Sequence, residues 1–173
     1  MALTLSHELR LVRTTAFVNT LSDGSTVTST GQPNVTAVTL TNGTGANKAQ
    51  VQWQGRVTLA GAANSTLDLA ALTAGAFAGT IAMSKIKSIE MQMVTLTTGV
   101  AAEIGGAASN AFSAFAKDPS DIVVLGAGGV LVWTNPVDGW TVDGTHKSLK
   151  LTNAHATVAI SVDIQITGEG TLA

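Results

Sequence analysis

Residues 157–167 read TVAISVDIQIT, and their side chains alternate strictly in character. Every even position from Val158 to Ile166 carries a large apolar residue, and every odd position carries a small or polar one. Successive side chains of a β-strand point to opposite faces of the sheet. A period of two therefore predicts a strand with one face in a core and one face in water.

The same alternation, interrupted by turn signals, runs through much of the chain. Residues 51–59 are predicted to form a strand whose apolar face includes Gly55, a residue that often marks a bulge or a close approach. Residues 86–96 are predicted to form another, and the change of apolar parity at Val94 indicates a bulge or a strand end. Shorter strands are predicted at residues 35–40, 67–69 and 149–151, and tight turns at Asn42-Gly43, Asp138-Gly139 and Asp143-Gly144.

Other segments carry weaker or different signals. Residues 122–125 and 130–133 are apolar runs joined by the small residues 126–129, which predicts a β-hairpin. Residues 99–117 are rich in Ala, Gly and Ser and are predicted to form a loop with a short helix around Phe112 and Phe115. Residues 70–79 have a similar composition and are predicted to hold one helical turn.

Together these patterns predict an all-β chain. We expect about eight to ten short strands in an antiparallel β-sandwich, with a jelly roll as the favoured form. Helices of the length that a parallel sheet needs for its crossovers are missing from the pattern. We expect residues 1–34 to be an extended N-terminal segment, either an arm or edge strands, and residues 35–173 to be the sandwich domain.

The composition favours a protein whose surface is partly covered by partners. Hydrophobic residues make up 45% of the 173 positions and charged residues only 12%, against about 25% in ordinary soluble domains. The net charge of −2 comes without a basic arm, so we expect no nucleic acid as a partner. We also expect no membrane span, because no long apolar run occurs.

The sequence motifs predict no catalytic, cofactor-binding or metal-binding residues, no cofactor, and no enzymatic activity. The run Gly126 to Gly129 lacks the following helix that a nucleotide-binding loop requires. A metal site is left open only where folding brings His146 or His155 near Asp138 or Asp143. We expect these histidines to be solvated turn residues instead.

Trp140 lies beside a predicted turn and allows two interpretations. An exposed indole there would stack on a sugar ring, whereas a buried one would fill part of the core. We favour the core position, because sugar sites commonly combine Tyr with Trp and this chain has no Tyr.

Several segments, taken in order, resemble small β-sandwich virion proteins of tailed bacteriophages. The resemblance covers about residues 66–168, is one of style and order, and runs through TLDLAAL at 66–72, KIKSI at 85–89, EIGG at 103–106, GGVLVWTNP at 128–136, GWTV at 139–142, LKLTN at 149–153 and VDIQITG at 162–168.

The resemblance implies a non-enzymatic viral structural protein, a capsid decoration or head-associated protein on the surface of the virion. Such a protein is made in the host cytoplasm and binds the major capsid protein or another virion protein through multivalent contacts. It implies a homo-oligomer as well, with a trimer favoured. Residues 1–34 would then be the segment that adds a strand to a neighbour or to the shell.

Three other functions stay open at this point. The first alternative is a carbohydrate-binding module of a phage tail or secreted protein. The second is a small glycosidase, and the third is a single-jelly-roll capsid protein that builds the shell itself.

Overall fold

The computed structural model describes residues 7–13, 16–20, 26–30, 34–74, 79–116 and 118–173. Within these ranges the protein is all-β and contains no helix, in agreement with the alternating sequence pattern. The strands are β1 His7–Arg13, β2 Ala16–Thr20, β3 Thr26–Thr30, β4 Asn34–Asn42, β5 Lys48–Ala49, β6 Val51–Leu59, β7 Asn64–Asp68, β8 Leu72–Thr73, β9 Thr80–Met93, β10 Ala101–Gly105, β11 Ile122–Gly126, β12 Val130–Thr134, β13 Trp140–Thr141, β14 Ser148–Asn153 and β15 Ile160–Leu172.

Two antiparallel sheets hold most of these strands. The larger has the order β12-β9-β15-β6, and β8 and β13 also pair with β9. The smaller has the order β11-β10-β14-β7. We call them the six-stranded sheet and the four-stranded sheet. Every strand pair within them is antiparallel, as predicted.

Residues 160–167 of the alternating stretch form the first part of β15, a central strand of the six-stranded sheet, and residues 157–159 precede it. β15 pairs with β6 on one side and with β9 on the other. Its even-numbered residues, from Ile160 to Ile166, are each at most 1% exposed. Fully burying an aliphatic side chain of this size stabilises the fold by about 1.5–3 kcal/mol. The four side chains therefore form a strong anchor for the sheet.

Apolar side chains from both sheets pack into one core. The six-stranded sheet contributes Ile89, Met91 and Val162, and the four-stranded sheet contributes Ile104 and Leu151. Each of these side chains is fully or almost fully buried. The alternation of β14 and of β15 places their apolar residues toward this shared core, which is why the two sheets fold together.

β9 keeps its apolar residues facing inward by means of two irregularities. Its register with β15 shifts between Thr167 and Gly168 and again between Glu169 and Gly170. Each shift leaves one extra residue on β9, namely Lys87 and Ser84, as a β-bulge does. The buried apolar positions of β9 consequently step by three residues at each bulge and by two elsewhere: Ile81, Met83, Ile86, Ile89, Met91 and Met93.

The predicted hairpin of residues 122–133 is wrong. β11 pairs with β10 in the four-stranded sheet, whereas β12 pairs with β9 in the six-stranded sheet. Residues 126–129 therefore connect two sheets instead of turning one strand back on itself, and Gly128 adopts a positive φ of 66° there. Two apolar runs around a glycine-rich link fit both arrangements, and only their pairing partners tell the arrangements apart.

The predicted loop of residues 99–117 is wrong in its first part. Residues Ala101–Gly105 form β10, which pairs with both β11 and β14. Alanine and glycine have low β propensity, so the strand was hidden, yet Ala102 and Ile104 alternate and are fully buried. The described residues around Phe112 and Phe115 form turns and an isolated bridge instead of the predicted helix. Residues 70–74 form a turn followed by β8. The rest of the helical turn predicted at 70–79 lies largely outside the described residues.

The first four strands pair in a nested order. β1 pairs antiparallel with β4, from His7 opposite Leu40 to Arg13 opposite Asn34. Between them in sequence, β2 pairs antiparallel with β3. We call β1–β4 the N-terminal ribbon, with β1 and β4 as its proximal ladder and β2 and β3 as its distal ladder. β5 adds to β4 in parallel. β4 begins at Asn34, and the division into an N-terminal segment of residues 1–34 and a sandwich domain of residues 35–173 stays a prediction.

Candidate interaction surfaces

Asp143 and His146, two of the predicted candidate metal ligands, form a local turn. The Asp143 carboxylate accepts hydrogen bonds from the hydroxyl and the backbone N–H of Thr145, both at 2.7 Å, and from the His146 N–H at 2.9 Å. The two bonds from Thr145, that of the hydroxyl first, do most to lower the pKa of Asp143 to about 2, and the His146 side chain adds to them. The His146 Nδ1 lies 3.1 Å from the same carboxylate. The pair caps a tight turn, as predicted for the Asp143-Gly144 sequence.

His155 serves a second turn, before β15. Its Nδ1 accepts hydrogen bonds from the backbone N–H groups of Thr157 at 3.2 Å and Val158 at 3.0 Å. The Nδ1 lone pair is therefore engaged within the turn. Among the described residues, no group of three or more His, Asp or Glu side chains is arranged to hold a metal ion.

The buried Asn153 connects the end of β14 to two other segments, and sequence reasoning missed it. Its Nδ2 donates to the carbonyl oxygens of Ala60 at 2.9 Å and Val158 at 2.8 Å. Its Oδ1 accepts from the His155 N–H at 2.9 Å. A buried amide that satisfies backbone groups on three sides fixes chain positions that apolar packing alone leaves free. The sequence signal was the break in apolar alternation after Leu151.

The three tryptophans all pack against the core. Trp140 is half-buried there, which agrees with the favoured prediction of a core position. The Trp53 indole N–H donates to the Thr73 carbonyl oxygen at 3.0 Å, and its ring covers Gly55, where an added Cβ would meet the ring at 2.6 Å. The predicted close approach at Gly55 is thus confirmed. Trp133 stacks on Phe115 with ring centroids 4.0 Å apart.

The outer face of the six-stranded sheet is polar along its first half. Adjacent strands place Gln54 beside Gln165 and Gln165 beside Glu90. In the next row, Arg56 donates two hydrogen bonds to the Asp163 carboxylate, at 2.6 and 2.7 Å. A shallow groove of about 240 Å³ follows these rows, with Val130 and Val132 at its edge. We call this surface the amide face.

Five of the seven large apolar residues that are exposed in the described part of the chain lie on the edge strands β11 and β12 or beside the link between them, and Val137 and Leu172 lie elsewhere. Leu96 is 79% exposed, Val130 on the edge strand β12 is 64% exposed, and Val124 on the edge strand β11 is 61% exposed. The Leu96 side chain lies against Gly128 in the link between those two strands. Ile122 and Val94 are also exposed. We call these five residues the apolar edge. Exposed aliphatic residues that gather in one region commonly mark a protein–protein contact.

The second half of the same outer face is buried, which the sequence pattern did not predict. Lys87, the extra residue at a β9 bulge, is 0% exposed. Its Nζ lies 3.2 Å from the Glu169 Oε1 and donates to the Val137 carbonyl oxygen at 2.9 Å. Glu169 also accepts from the Gly45 N–H at 3.0 Å. Burial raises the pKa of Glu169, but the Gly45 N–H and the Lys87 ammonium outweigh that effect and hold the pKa below its ordinary value.

This ion pair lies where the N-terminal ribbon meets the six-stranded sheet. Gly45 and Asn47 follow β4, and the Asn47 N–H donates to the Pro136 carbonyl oxygen at 2.8 Å. The Gln50 backbone N–H donates to Gly168 at 2.9 Å, and its side-chain amide donates to the Gly170 carbonyl oxygen. We call these contacts the ribbon root. In the sequence, Lys87 and Glu169 look like scattered surface charges, and nothing in their spacing connects them.

No protein-family model matches the chain, and no curated protein is significantly similar to it. None of the described residues belongs to a helix that is long and apolar enough to cross a membrane. The functional interpretation therefore depends on the geometry of the amide face, the apolar edge and the ribbon root.

Proposed function

We propose that the two principal sheets form a jelly roll, in which one long hairpin of eight strands is folded over into two layers. The support is the nested pairing of the eight main strands in chain order: β6 with β15, β7 with β14, β9 with β12, and β10 with β11. The pairings of β15 with β9 and of β14 with β10 join these hairpins into two sheets. Eight-stranded jelly rolls recur in viral capsid and lectin domains.

We further propose that the chain is a non-enzymatic structural protein of a virion, a capsid decoration or head-associated protein. It binds the major capsid protein or another virion protein on the outside of the phage shell. It acts as a homo-oligomer, with a trimer favoured, so that several modest contacts add up to firm attachment. In this function the jelly roll is a rigid body, and its strand edges carry the contacts.

The observation that carries this proposal is the apolar edge. A freely soluble domain of this size commonly guards such positions with charge. Here Leu96, Val124 and Val130 are more than half exposed, and neither β11 nor β12 contains a charged residue. Covering these side chains with a partner removes apolar surface from water, at about 25 cal/mol for each Å².

Co-sedimentation with purified phage capsids tests the proposal. We expect saturable binding by the native chain. The double variant Ile122→Ser with Val124→Ser should bind about tenfold more weakly or worse. Full burial of an aliphatic side chain contributes about 1.5–3 kcal/mol, and these two side chains are about half exposed in the isolated chain. The control is Thr66→Ser, an exposed position on β7 at the opposite edge of the same sheet. Equal binding by all three proteins contradicts the proposal.

A carbohydrate-binding module is the second candidate, and the amide face is the observation in its favour. Side-chain amides both donate and accept hydrogen bonds, as sugar hydroxyls require, and Gln54, Gln92 and Gln165 all line the groove. A glycan array separates the two candidates. Sugar binding that is lost in Gln165→Ala and kept in Trp140→Ala favours the module, and the absence of any binding favours the virion protein.

A further inference from the structure

The distal ladder of the N-terminal ribbon is a pair of strands with unguarded edges. β2 and β3 form a two-stranded sheet of their own and pair with each other over five residues each. A two-stranded hairpin by itself is marginally stable in water and normally needs a third strand or a packing surface. Among the strands that the structure describes, none pairs with the outer side of β2 or β3, so backbone donors and acceptors of the distal ladder are left for a further strand.

The distribution of charge along the ribbon points the same way. Edge strands of natural proteins are commonly guarded by charged residues or proline, which discourage pairing with another chain. The proximal strand β1 contains Glu8, Arg10 and Arg13. β2 and β3 contain no charged residue and no proline, and between Arg13 and Lys48 the only charged residue in the sequence is Asp23. Charged residues that discourage strand pairing are therefore present in the proximal ladder and missing from the distal ladder.

The principal sheets offer a matching unguarded edge. Their four outer strands are β6, β7, β11 and β12. β6 contains Arg56 and β7 contains Asp68, whereas β11 and β12 are uncharged. β11 and β12 both have five residues, like β2 and β3, so length does not separate them. β12 pairs with β9 on one side and, unlike β11, borders the groove of the amide face. Its Val130 is largely exposed and faces the groove of the amide face together with Val132.

We propose that the distal ladder of one copy adds as a β-strand to the edge of β12 in a second copy of this chain. We call the distal ladder the donor and β12 the acceptor. Their strands are all free of charged residues and have the same length. Both occur on every chain, so the contact is head-to-tail, and such contacts close into rings when the rotation between copies allows it. The ribbon root, with the buried Lys87–Glu169 pair, holds the base of the donor on the six-stranded sheet. The inference rests on the proposed function for its homo-oligomer and names how the copies join.

Two variants separate donor from acceptor in the full chain. The donor variant carries Val18→Lys and Val27→Lys in the distal ladder, and the acceptor variant carries Val130→Lys in β12. Size-exclusion chromatography with light scattering should give an oligomer for the native chain and the single-chain mass of 17.5 kDa for each variant. Thr66→Lys, on the edge strand β7, is the matched control and should remain oligomeric.

Mixing the two variants is the decisive step. The donor variant keeps an intact β12 and the acceptor variant keeps an intact ribbon, so an equimolar mixture should form a species of twice the single-chain mass. That species also demonstrates that both variants are folded. A native chain of single-chain mass, variants that stay oligomeric, or a mixture without the two-chain species would each overturn the inference.

Capsid co-sedimentation of the native chain keeps this inference separate from the proposed function. Capsid binding by a native chain that is single in solution, with no two-chain species in the mixture, overturns the head-to-tail contact and leaves the virion function standing. A two-chain species from the mixture, together with no capsid binding by the native chain, supports the contact and counts against the function.

Discussion

Gly168 illustrates how one residue can be required by the backbone of a neighbouring strand. It lies in β15 at a register shift, and a Cβ added there would overlap the carbonyl oxygen of Lys85 on β9. The next glycine, Gly170, meets the carbonyl oxygen of Ala82 in the same way. The two glycines let β15 approach β9 at both bulges, which is where the inward positions of β9 are brought back into phase.

We predict that Gly168→Ala lowers the free energy of unfolding by about 1–3 kcal/mol, because the obstacle is backbone and cannot rotate away. Gly126→Ala is the control, since an added Cβ there has open space around it. It should change stability by less than about 0.5 kcal/mol. Urea unfolding measures both values, and equal stability of the two variants would contradict the assigned close approach.

The lowered pKa values of several carboxylates determine how the free energy of unfolding should depend on pH. The pKa of Asp143 is lowered to about 2, and those of Asp68, Asp163 and Glu169 lie below their ordinary values. The folded chain therefore binds fewer protons than the unfolded chain between those values, so this stabilisation is present above the ordinary pKa values and is lost as the pH falls toward about 2. The urea midpoint should decrease from about pH 5 to pH 2. Asp143→Asn should make the decrease shallower, and a midpoint that rises on acidification would contradict the assignment.

At the scale of elements, the ribbon root joins β4, β9 and β15 through one buried charge pair. Removing one partner of such a pair strands the other charge, whereas replacing both with neutral groups is tolerated much better. Glu169 would keep its acceptor role toward Gly45 if it were changed to Gln. Removing only the Lys87 charge tests the ion pair, whereas neutral replacements at both positions remove the charges and keep the hydrogen bond from Gly45 to residue 169.

We predict that Lys87→Ala destabilises the protein by about 3–5 kcal/mol, since the Glu169 carboxylate is left buried without its cation. The double variant Lys87→Met with Glu169→Gln should recover a large part of that loss. Hydrogen exchange adds a local reading, because the backbone amide of Gln50 should lose protection in the single variant. An undisturbed amide together with full stability would contradict the role of the pair.

The sequence predicts the strands in which apolar and polar residues alternate without interruption. It does not predict which strand each of them pairs with. β14 and β15 followed directly from Leu149, Leu151 and the even positions of 158–166, because alternation reports burial on one face. The glycine link at 126–129 was assigned to a hairpin, because the sequence carries no record of which sheet each flanking strand joins. The Lys87–Glu169 pair was missed for the same reason, since 82 positions separate residues that only the bulges of β9 bring together.

Over the whole molecule, the low content of charged residues and the exposed apolar strand edges occur together. Charged residues make up 12% of the chain, and the edges without charge, β11 and β12, are also the ones that expose Val124 and Val130. A surface of this kind is suited to permanent contact with other proteins. We propose that copies of the chain join to one another through these edges.

Size-exclusion chromatography with light scattering on the isolated 173-residue chain measures whether copies join. Our account predicts a homo-oligomer whose mass is a multiple of 17.5 kDa, with three copies favoured. A species of 17.5 kDa that persists at every concentration examined would contradict it.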